Sequence, residues 1–201
     1  VSEDLLRFFA GLDIPIREVY GLTETTGPAT FNVEGATVFG SIGRAVPDSE
    51  IRVASDGELL IHGPMVFVGY LKDEEATRRA LVGGWLQTGD LGKIDAEGFI
   101  RVTGRKKELI VTSGGKNVAP LFIEERLAQH PMVSQAVVIG DRRNYLTALV
   151  TLVAPRARLW AHENAVGEQD VHQDPRMLAD LRRHIDREVN PFLARVEQVR
   201  R

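Results

Sequence analysis

Between Tyr20 and Gly27 the sequence reads Y-G-L-T-E-T-T-G, which sets an aromatic ring before a glycine, and hydroxyls and a carboxylate between that glycine and the next. A carboxylate beside a hydroxyl suits Mg²⁺ and phosphate oxygens, because Mg²⁺ takes few protein oxygens and shares the rest with its substrate. Three later segments carry matching chemistry: Gly84-Trp85-Leu86-Gln87-Thr88-Gly89-Asp90, then Gly104-Arg105-Lys106-Lys107-Glu108, then Ser113-Gly114-Gly115-Lys116-Asn117-Val118-Ala119-Pro120. Asp90 is able to accept two hydrogen bonds from a ribose diol. Arg105 offers a planar fork to an oxygen-rich ligand, and Gly114-Gly115 allows close backbone approach. These are the groups that a nucleotide and its metal require. No glycine-rich phosphate loop accompanies them, so the set reads as part of an active site.

Each segment taken alone has a plainer reading. Thr23 to Thr26 also fits a helix start, with threonine capping and Glu24 in the first turn. Asp90 also fits a turn aspartate bonded to its own backbone. Arg105 to Glu108 also fits a solvated charge cluster, and Ser113 to Gly115 a tight turn. The five histidines are scattered without metal-ligand spacing. Trp85 and Trp160 read as packing residues, and Arg142-Arg143 as a solvated loop. Glu124-Glu125 fits the first turn of a helix and needs no catalytic role.

The elements that must position these groups are legible in outline. Residues 2 to 12 read as a helix with Ser2 as its N-cap and Leu5, Leu6, Phe9 and Leu12 apolar. Residues 14 to 19 read as a short strand delivering Tyr20 into a loop. Strands are expected at 50–53, 58–62, 66–70 and 99–103, with turns at Asp56-Gly57 and Glu97-Gly98 and a helix over 73–81. Together they suggest a small sheet or barrel. After Gly104 the pattern changes to a strand at 108–112, a glycine turn, and a helix from Pro120 to Pro131 with Ile123 and Leu127 on one face. Strands at 133–139 and 148–153 follow. Residues 155–173 read as a polar loop or weakly held helix, and Asp174-Pro175 opens a last helix carrying Leu178, Leu181, Ile185 and Val189. The order of elements is α+β, with a boundary expected close to 104–107.

Composition excludes several classes. The chain has 201 residues, 43% hydrophobic and 26% charged, as in an ordinary globular protein. A net charge of -3 gives no basic surface, so nucleic acid is not an expected partner. No apolar run approaches the roughly 20 residues of a membrane helix, which leaves at most peripheral membrane contact. With no cysteine there is no disulfide, thiolate metal site or thiol nucleophile, and the cytoplasm is the expected compartment. Of the lysines, only Lys72 and Lys93 lie outside the stretch that holds Lys106, Lys107 and Lys116.

In order and spacing, Y-G-L-T-E-T-T-G, G-W-L-Q-T-G-D and G-R-K-K-E-L-I-V-T-S-G-G-K-N-V-A-P resemble the adenylate-forming (AMP-binding) superfamily of acyl-CoA synthetases, luciferases and peptide-synthetase adenylation domains. The form K-K-E-L-I-V-T-S-G-G-K-N-V-A-P looks most like long-chain fatty-acid–CoA ligases. The resemblance runs from about residue 14 to the end. It implies that residues 1–103 are the β-rich, barrel-like tail of a large N-terminal part, and that 104–201 form a small mobile α+β domain cut before its end.

By the same resemblance, Tyr20 stacks on adenine with Gly21 beside it, Thr23 contacts the α-phosphate, Glu24 holds Mg²⁺, and Asp90 with Arg105 meets the ribose. Lys107 matches the hinge, and Gly114-Gly115 helps line the pantetheine channel. The implied reaction joins a fatty acid to CoA: ATP activates the carboxylate as an acyl-adenylate, and the CoA thiol then displaces AMP. Related ligases for aryl or medium-chain acids, acyl-AMP ligases, and a non-catalytic nucleotide-binding module are the alternatives. Two departures stand out. The family's phosphate loop is absent, and no lysine follows Lys116 to match its C-terminal catalytic lysine. The chain is therefore expected to depend on an upstream part of the same enzyme and to be inactive alone.

Overall fold

A computed structural model describes residues 3–195 and 197–200; Ser2, the expected cap of the first helix, lies outside the described residues. The chain divides into two compact units, Val1–Lys107 and Glu108–Arg201.

The first unit opens with helix α1 (Glu3–Ala10), which buries Leu6. Strand β1 (Val19–Leu22) follows, starting five residues later than the strand expected at 14–19 and holding Tyr20 within it rather than in a loop. Then come a single 3₁₀ turn at Thr23–Thr25, β2 (Gly27–Phe31) and β3 (Arg44–Ala45). These strands form one antiparallel sheet in the order β1-β2-β3. Gly21 is required there for close approach: a Cβ at this position would lie 2.2 Å from the Gly27 carbonyl oxygen.

The larger sheet comprises β4 (Glu50–Val53), β5 (Glu58–His62), β6 (Leu81–Val82), β7 (Trp85–Ile94) and β8 (Ile100–Arg105), with helix α2 (Glu74–Ala80) leading into β6. Strand β5 pairs with one edge of β7, while β6 and β8 take successive stretches of the other. The order β4-β5-β7-β6, with β8 also on β7, leaves the sheet open. The expected barrel-like portion is therefore two open sheets: no ladder joins the first strand to the last, and closure requires one. Ala29, Ile61 and Leu86 form a core under both sheets, with Tyr20, Leu22 and Phe67 packed against it.

Two sequence expectations fail in this unit. Residues 66–70 are not a strand, because Gly63 and Gly69 take φ of +156° and +148° and turn the chain away from a ladder. Conversely β7 spans ten residues that include the G-D pair expected in a turn. Its glycines hide it from a β-propensity reading.

The second unit begins with a two-stranded hairpin of β9 (Ile110–Val111) and β10 (Asn117–Val118), then helix α3 (Pro120–Ala128). Pro120 stands at the start of α3, where its missing N–H costs nothing. Strands β11 (Val133–Ile139) and β12 (Thr147–Leu152) pair antiparallel and carry α3 on one face through Ile123 and Leu127. Helix α4 (Ala154–Asn164) occupies much of the segment read as loop or weak helix, and packs Ala161 and Trp160 on Met132 and Met177. Helix α5 (Pro175–His184) is capped by the Asp174 side chain and runs on through a π turn to Val189, which is fully buried.

Candidate active site

The Y-G-L-T-E-T-T-G segment is the end of β1 followed by a one-turn helix. That turn is held from below by Thr25, which is fully buried. Its Oγ1 accepts from the Leu22 N–H at 2.8 Å and lies 2.9 Å from the Leu22 carbonyl and 2.7 Å from that of Gly27. Thr26 completes the turn in the left-handed region at φ +50°. The helix-start reading thus holds for one turn only, and Thr23 and Glu24 stand on its outer side, exposed and half-buried.

The segment wrongly expected to be a strand, 66–70, is strapped with Met65 across this turn. Thr26 Oγ1 donates to the Met65 carbonyl at 3.1 Å and the Phe67 N–H donates to the Glu24 carbonyl at 2.8 Å. The Tyr70 hydroxyl donates to Glu24 Oε1 at 2.6 Å. Tyr70 is a site residue that the sequence did not reveal, although its place after Gly69 is a turn signal of the same kind as the others. The hydrogen bond to Glu24 pushes the Tyr70 hydroxyl pKa up, so it stays a donor.

Asp90 sits on a bulge. Between the pairs Glu58–Leu91 and Leu60–Gln87, residues Thr88, Gly89 and Asp90 of β7 oppose Leu59 alone. Gly89 takes φ +74° at the bulge, a conformation that glycine adopts without strain. Thr88 Oγ1 donates to the Leu59 carbonyl at 2.7 Å and accepts from the Asp90 N–H at 3.0 Å.

The Asp90 side chain is 4% exposed, a position that demands partners for a charge. It has two. The Tyr20 hydroxyl donates to Oδ2 at 2.6 Å, and Arg105 Nε forms an ion pair with Oδ1 at 2.9 Å from the paired position on β8. Burial, then the contact with Asp90, drive the Tyr20 pKa well above that of a free phenol. An ionised carboxylate offers about four lone-pair sites, so two remain for a ligand.

Sequence positions 20, 90 and 105 are therefore in direct contact, and the readings of Asp90 as a lone turn residue and Arg105 as part of a solvated cluster do not describe them. A cleft of about 380 Å³ lined by Thr88, Gly89, Arg105, Lys106 and Lys107 opens beside Asp90. Lys107 is exposed and makes no ion pair among the described residues. Lys106, by contrast, contacts Asp56 at 2.6 Å and Glu58 at 2.9 Å, which raises its pKa to about 12.

Gly114 and Gly115 belong to the second unit, in the hairpin turn between β9 and β10. The Gly115 N–H donates to the Thr112 carbonyl at 2.8 Å, and Gly115 takes φ +75°. Ser113 is tied to Asn144 through Oγ at 2.6 Å and to the Arg143 carbonyl through its N–H at 3.0 Å. Loop 140–144 thus buttresses the glycine turn, so Arg142-Arg143 lies on a supporting loop. Glu124, read as needing no catalytic role, accepts the Val138 N–H at 2.8 Å.

Among the described residues no cluster of three or more His, Asp or Glu side chains could cage a metal. Glu24 offers one carboxylate oxygen not engaged by Tyr70, on an open turn beside Thr23. Such a donor fits Mg²⁺, which is commonly held by one or two carboxylates with substrate phosphates completing the shell. No described helix is long and apolar enough to cross a membrane.

A buried carboxylate held between a phenol and a guanidinium thus stands near a glutamate on an adjacent turn and a basic cleft, in a mixed unit of helices and antiparallel sheets. Comparison with known proteins places the chain in a family. Residues 1–71 match the family described as AMP-binding enzyme, and residues 107–174 match the AMP-binding enzyme C-terminal domain. The chain belongs to this adenylate-forming family.

It is 40% identical over 198 residues to the long-chain-fatty-acid–CoA ligase FadD15 of Mycobacterium bovis, covering 96% of this chain and 33% of that one. It is 43% identical over 161 residues to the long-chain-fatty-acid–CoA ligase heimdall of Drosophila melanogaster, covering 75% and 23% respectively. Among solved structures it is similar to O-succinylbenzoate coenzyme A synthetase of Bacillus subtilis in complex with ATP and magnesium ion, with a TM-score of 0.75 and 26% identity over 99% of this chain and 39% of that chain. The chain thus spans about a third of the length of the curated relatives that it matches.

Proposed function

We propose that this chain supplies the adenosine-binding and pivot portion of an acid–CoA ligase whose acid is a long-chain fatty acid. The observation that carries the proposal is the Tyr20–Asp90–Arg105 contact, which gathers three separate sequence motifs around one carboxylate. In this reading Asp90 accepts the ribose hydroxyls, Arg105 holds Asp90 and the ribose edge, and the Tyr20 ring stacks on adenine with Gly21 keeping β1 against β2. Thr23 donates to the α-phosphate. Glu24 would hold Mg²⁺, which supplies neutralisation of phosphate charge when bound. Lys107, the last residue of the first compact unit, is the proposed pivot, and Gly114-Gly115 the turn that meets the pantetheine arm of CoA.

The proposed reaction needs no protein nucleophile. A carboxylate oxygen of the fatty acid bonds to the α-phosphorus of ATP as the bond to the bridging oxygen breaks, releasing pyrophosphate. The CoA sulfur then bonds to the acyl carbon, AMP leaves, and the thiol proton is lost to solvent. The protein contributes position and charge compensation, which suffice for large rate effects.

The names of the relatives support the fatty-acid assignment, and their length supports action as part of a longer enzyme. Nucleotide titration of the 201-residue chain tests the site. AMP is expected to bind at least about tenfold tighter than 2′,3′-dideoxy-AMP, the order of a lost charge-assisted hydrogen-bond pair. Equal affinity for the two would refute the ribose assignment. Acid profiling of the chain joined to its upstream coding sequence, with and without CoA, tests the substrate. Preference for an aryl acid, the class that O-succinylbenzoate represents, would overturn the long-chain reading, and ATP–pyrophosphate exchange by the 201 residues alone would overturn dependence on an upstream part.

A further inference from the structure

Glu58 lies on β5, inside the larger sheet of the first unit, and its side chain is 6% exposed. A carboxylate so placed is costly unless both oxygens are paired. Oε1 accepts the N–H of Gly89 at 2.8 Å, and Oε2 accepts from Lys106 Nζ at 2.9 Å. Lys106 is itself held by Asp56 Oδ2 at 2.6 Å. None of these side chains has a place on the nucleotide in the function proposed above.

The geometry gives them another task. Gly89 is in a bulge, where three residues of β7 face one of β5 and its N–H has no ladder acceptor. Glu58 supplies that acceptor from the neighbouring strand. The orientation of a bulge sets the direction of the next side chain, which is Asp90. Thr88 pins one side of the bulge through Leu59, and Glu58 pins the other. Lys106, one residue beyond Arg105, ties the same carboxylate to the end of β8. The chain segments that carry Asp90 and Arg105 are thereby fixed to a single buried anion.

We propose that Glu58 is a positioning residue: held by Lys106, it anchors the Gly89 N–H and so aims the Asp90 carboxylate at the ribose hydroxyls. This inference rests on the ribose reading of Asp90, and two readouts separate the two ideas. The first needs no nucleotide. In the folded chain, Glu58→Ala is expected to speed amide exchange at Gly89 and Asp90 by about tenfold or more, with exchange in β11 unchanged.

The second compares AMP with 2′,3′-dideoxy-AMP. Glu58→Ala is expected to cut the affinity ratio at least about fivefold by weakening AMP alone, since only the diol contact depends on Asp90. Glu58→Gln, which keeps shape and the Gly89 contact, should retain more of that ratio. Lys106→Met, at a half-exposed lysine, should lower it by a smaller factor. Unchanged Gly89 exchange in Glu58→Ala, or equal weakening of both nucleotides, overturns the proposal and leaves Glu58 a fold residue. A wild-type chain that fails to distinguish the nucleotides removes the ribose reading and this proposal with it, whereas full discrimination kept in Glu58→Ala removes the proposal alone.

Discussion

The hydroxyl of Tyr20 donates to Oδ2 of Asp90 at 2.6 Å, across 70 residues of sequence. This bond joins the small sheet to the large one within the first unit, at the residue where the large sheet bulges. It occupies one oxygen of a carboxylate whose other oxygen is held by Arg105. Because burial and Asp90 raise the Tyr20 pKa, the phenol keeps its proton, and therefore its donor role, through neutral and mildly alkaline pH.

Tyr20→Phe separates the two tasks of this residue. The ring that is proposed to stack on adenine remains, while a hydrogen bond to a charged group is lost. Such bonds contribute about 1.5–3 kcal/mol when buried. The variant should unfold at lower urea concentration by a corresponding amount, read through Trp85 in a Trp160→Phe background, and AMP affinity should fall less than in Tyr20→Ala. Equal affinities in the two variants would rule out stacking.

The contact also shows why part of the site was legible in the sequence and part was not. Tyr20, Asp90 and Arg105 stand in motifs whose residue types announce chemistry, so their convergence could be anticipated. Strands β4, β5 and β11 were legible for a different reason: each is a short glycine-free segment with aliphatic residues, β4 and β5 bounded by turn signals. Strand β7 was not, because Gly89 and Gly92 interrupt it, and Gly92 is there to clear Leu59 and the Arg101 carbonyl. Tyr70 and Glu58 escaped notice because their importance is a matter of partners, Glu24 and Gly89, that are distant in sequence. The barrel expectation came from counting short strands; strand pairing, which decides closure, leaves no such local trace.

Tyr70→Phe tests the strap over the Thr23–Thr25 turn. Loss of the 2.6 Å bond to Glu24 Oε1 frees that carboxylate to change rotamer. If Glu24 holds the divalent ion, the concentration of Mg²⁺ needed for half-maximal ATP binding should rise by about three- to tenfold. AMP binding measured without metal should not change. A shift in metal-free AMP affinity of the same size would instead assign Tyr70 to the fold of the nucleotide pocket.

Gly21→Ala addresses the close approach of β1 to β2. The added methyl would stand 2.2 Å from the Gly27 carbonyl oxygen and 2.9 Å from Pro28 Cα, both backbone atoms that cannot rotate aside. Overpacking of this kind costs about 1–3 kcal/mol. Denaturant unfolding of the first unit should show it, together with weaker AMP binding as Tyr20 and the turn after it shift. Gly115→Ala, where no atom lies within 4 Å but φ is +75°, should cost only about 1 kcal/mol and leave AMP affinity unchanged.

The second unit carries a pH response of its own at His130, which is buried between α3 and the start of β11. Its Nδ1 accepts the Met132 N–H at 3.2 Å and its Nε2 faces Asp180 at 3.3 Å, so the neutral ring is already satisfied. Burial and then the nearby His184 ring lower its pKa; Asp180, itself paired with Arg183, pulls the other way and loses. A folded-state pKa below the unfolded value of about 6.5 means that the unfolded chain takes up its proton first as pH falls. The stabilisation is therefore complete above about pH 6.5 and is lost as pH drops through the folded value. The slope cannot exceed about 1.4 kcal/mol per pH unit for one proton. Urea unfolding of the second unit, followed by Trp160 fluorescence, should show the midpoint falling between pH 7.5 and 5.5, and His130→Gln should flatten that fall. A flat wild-type profile over this range would show that His130 does not carry it.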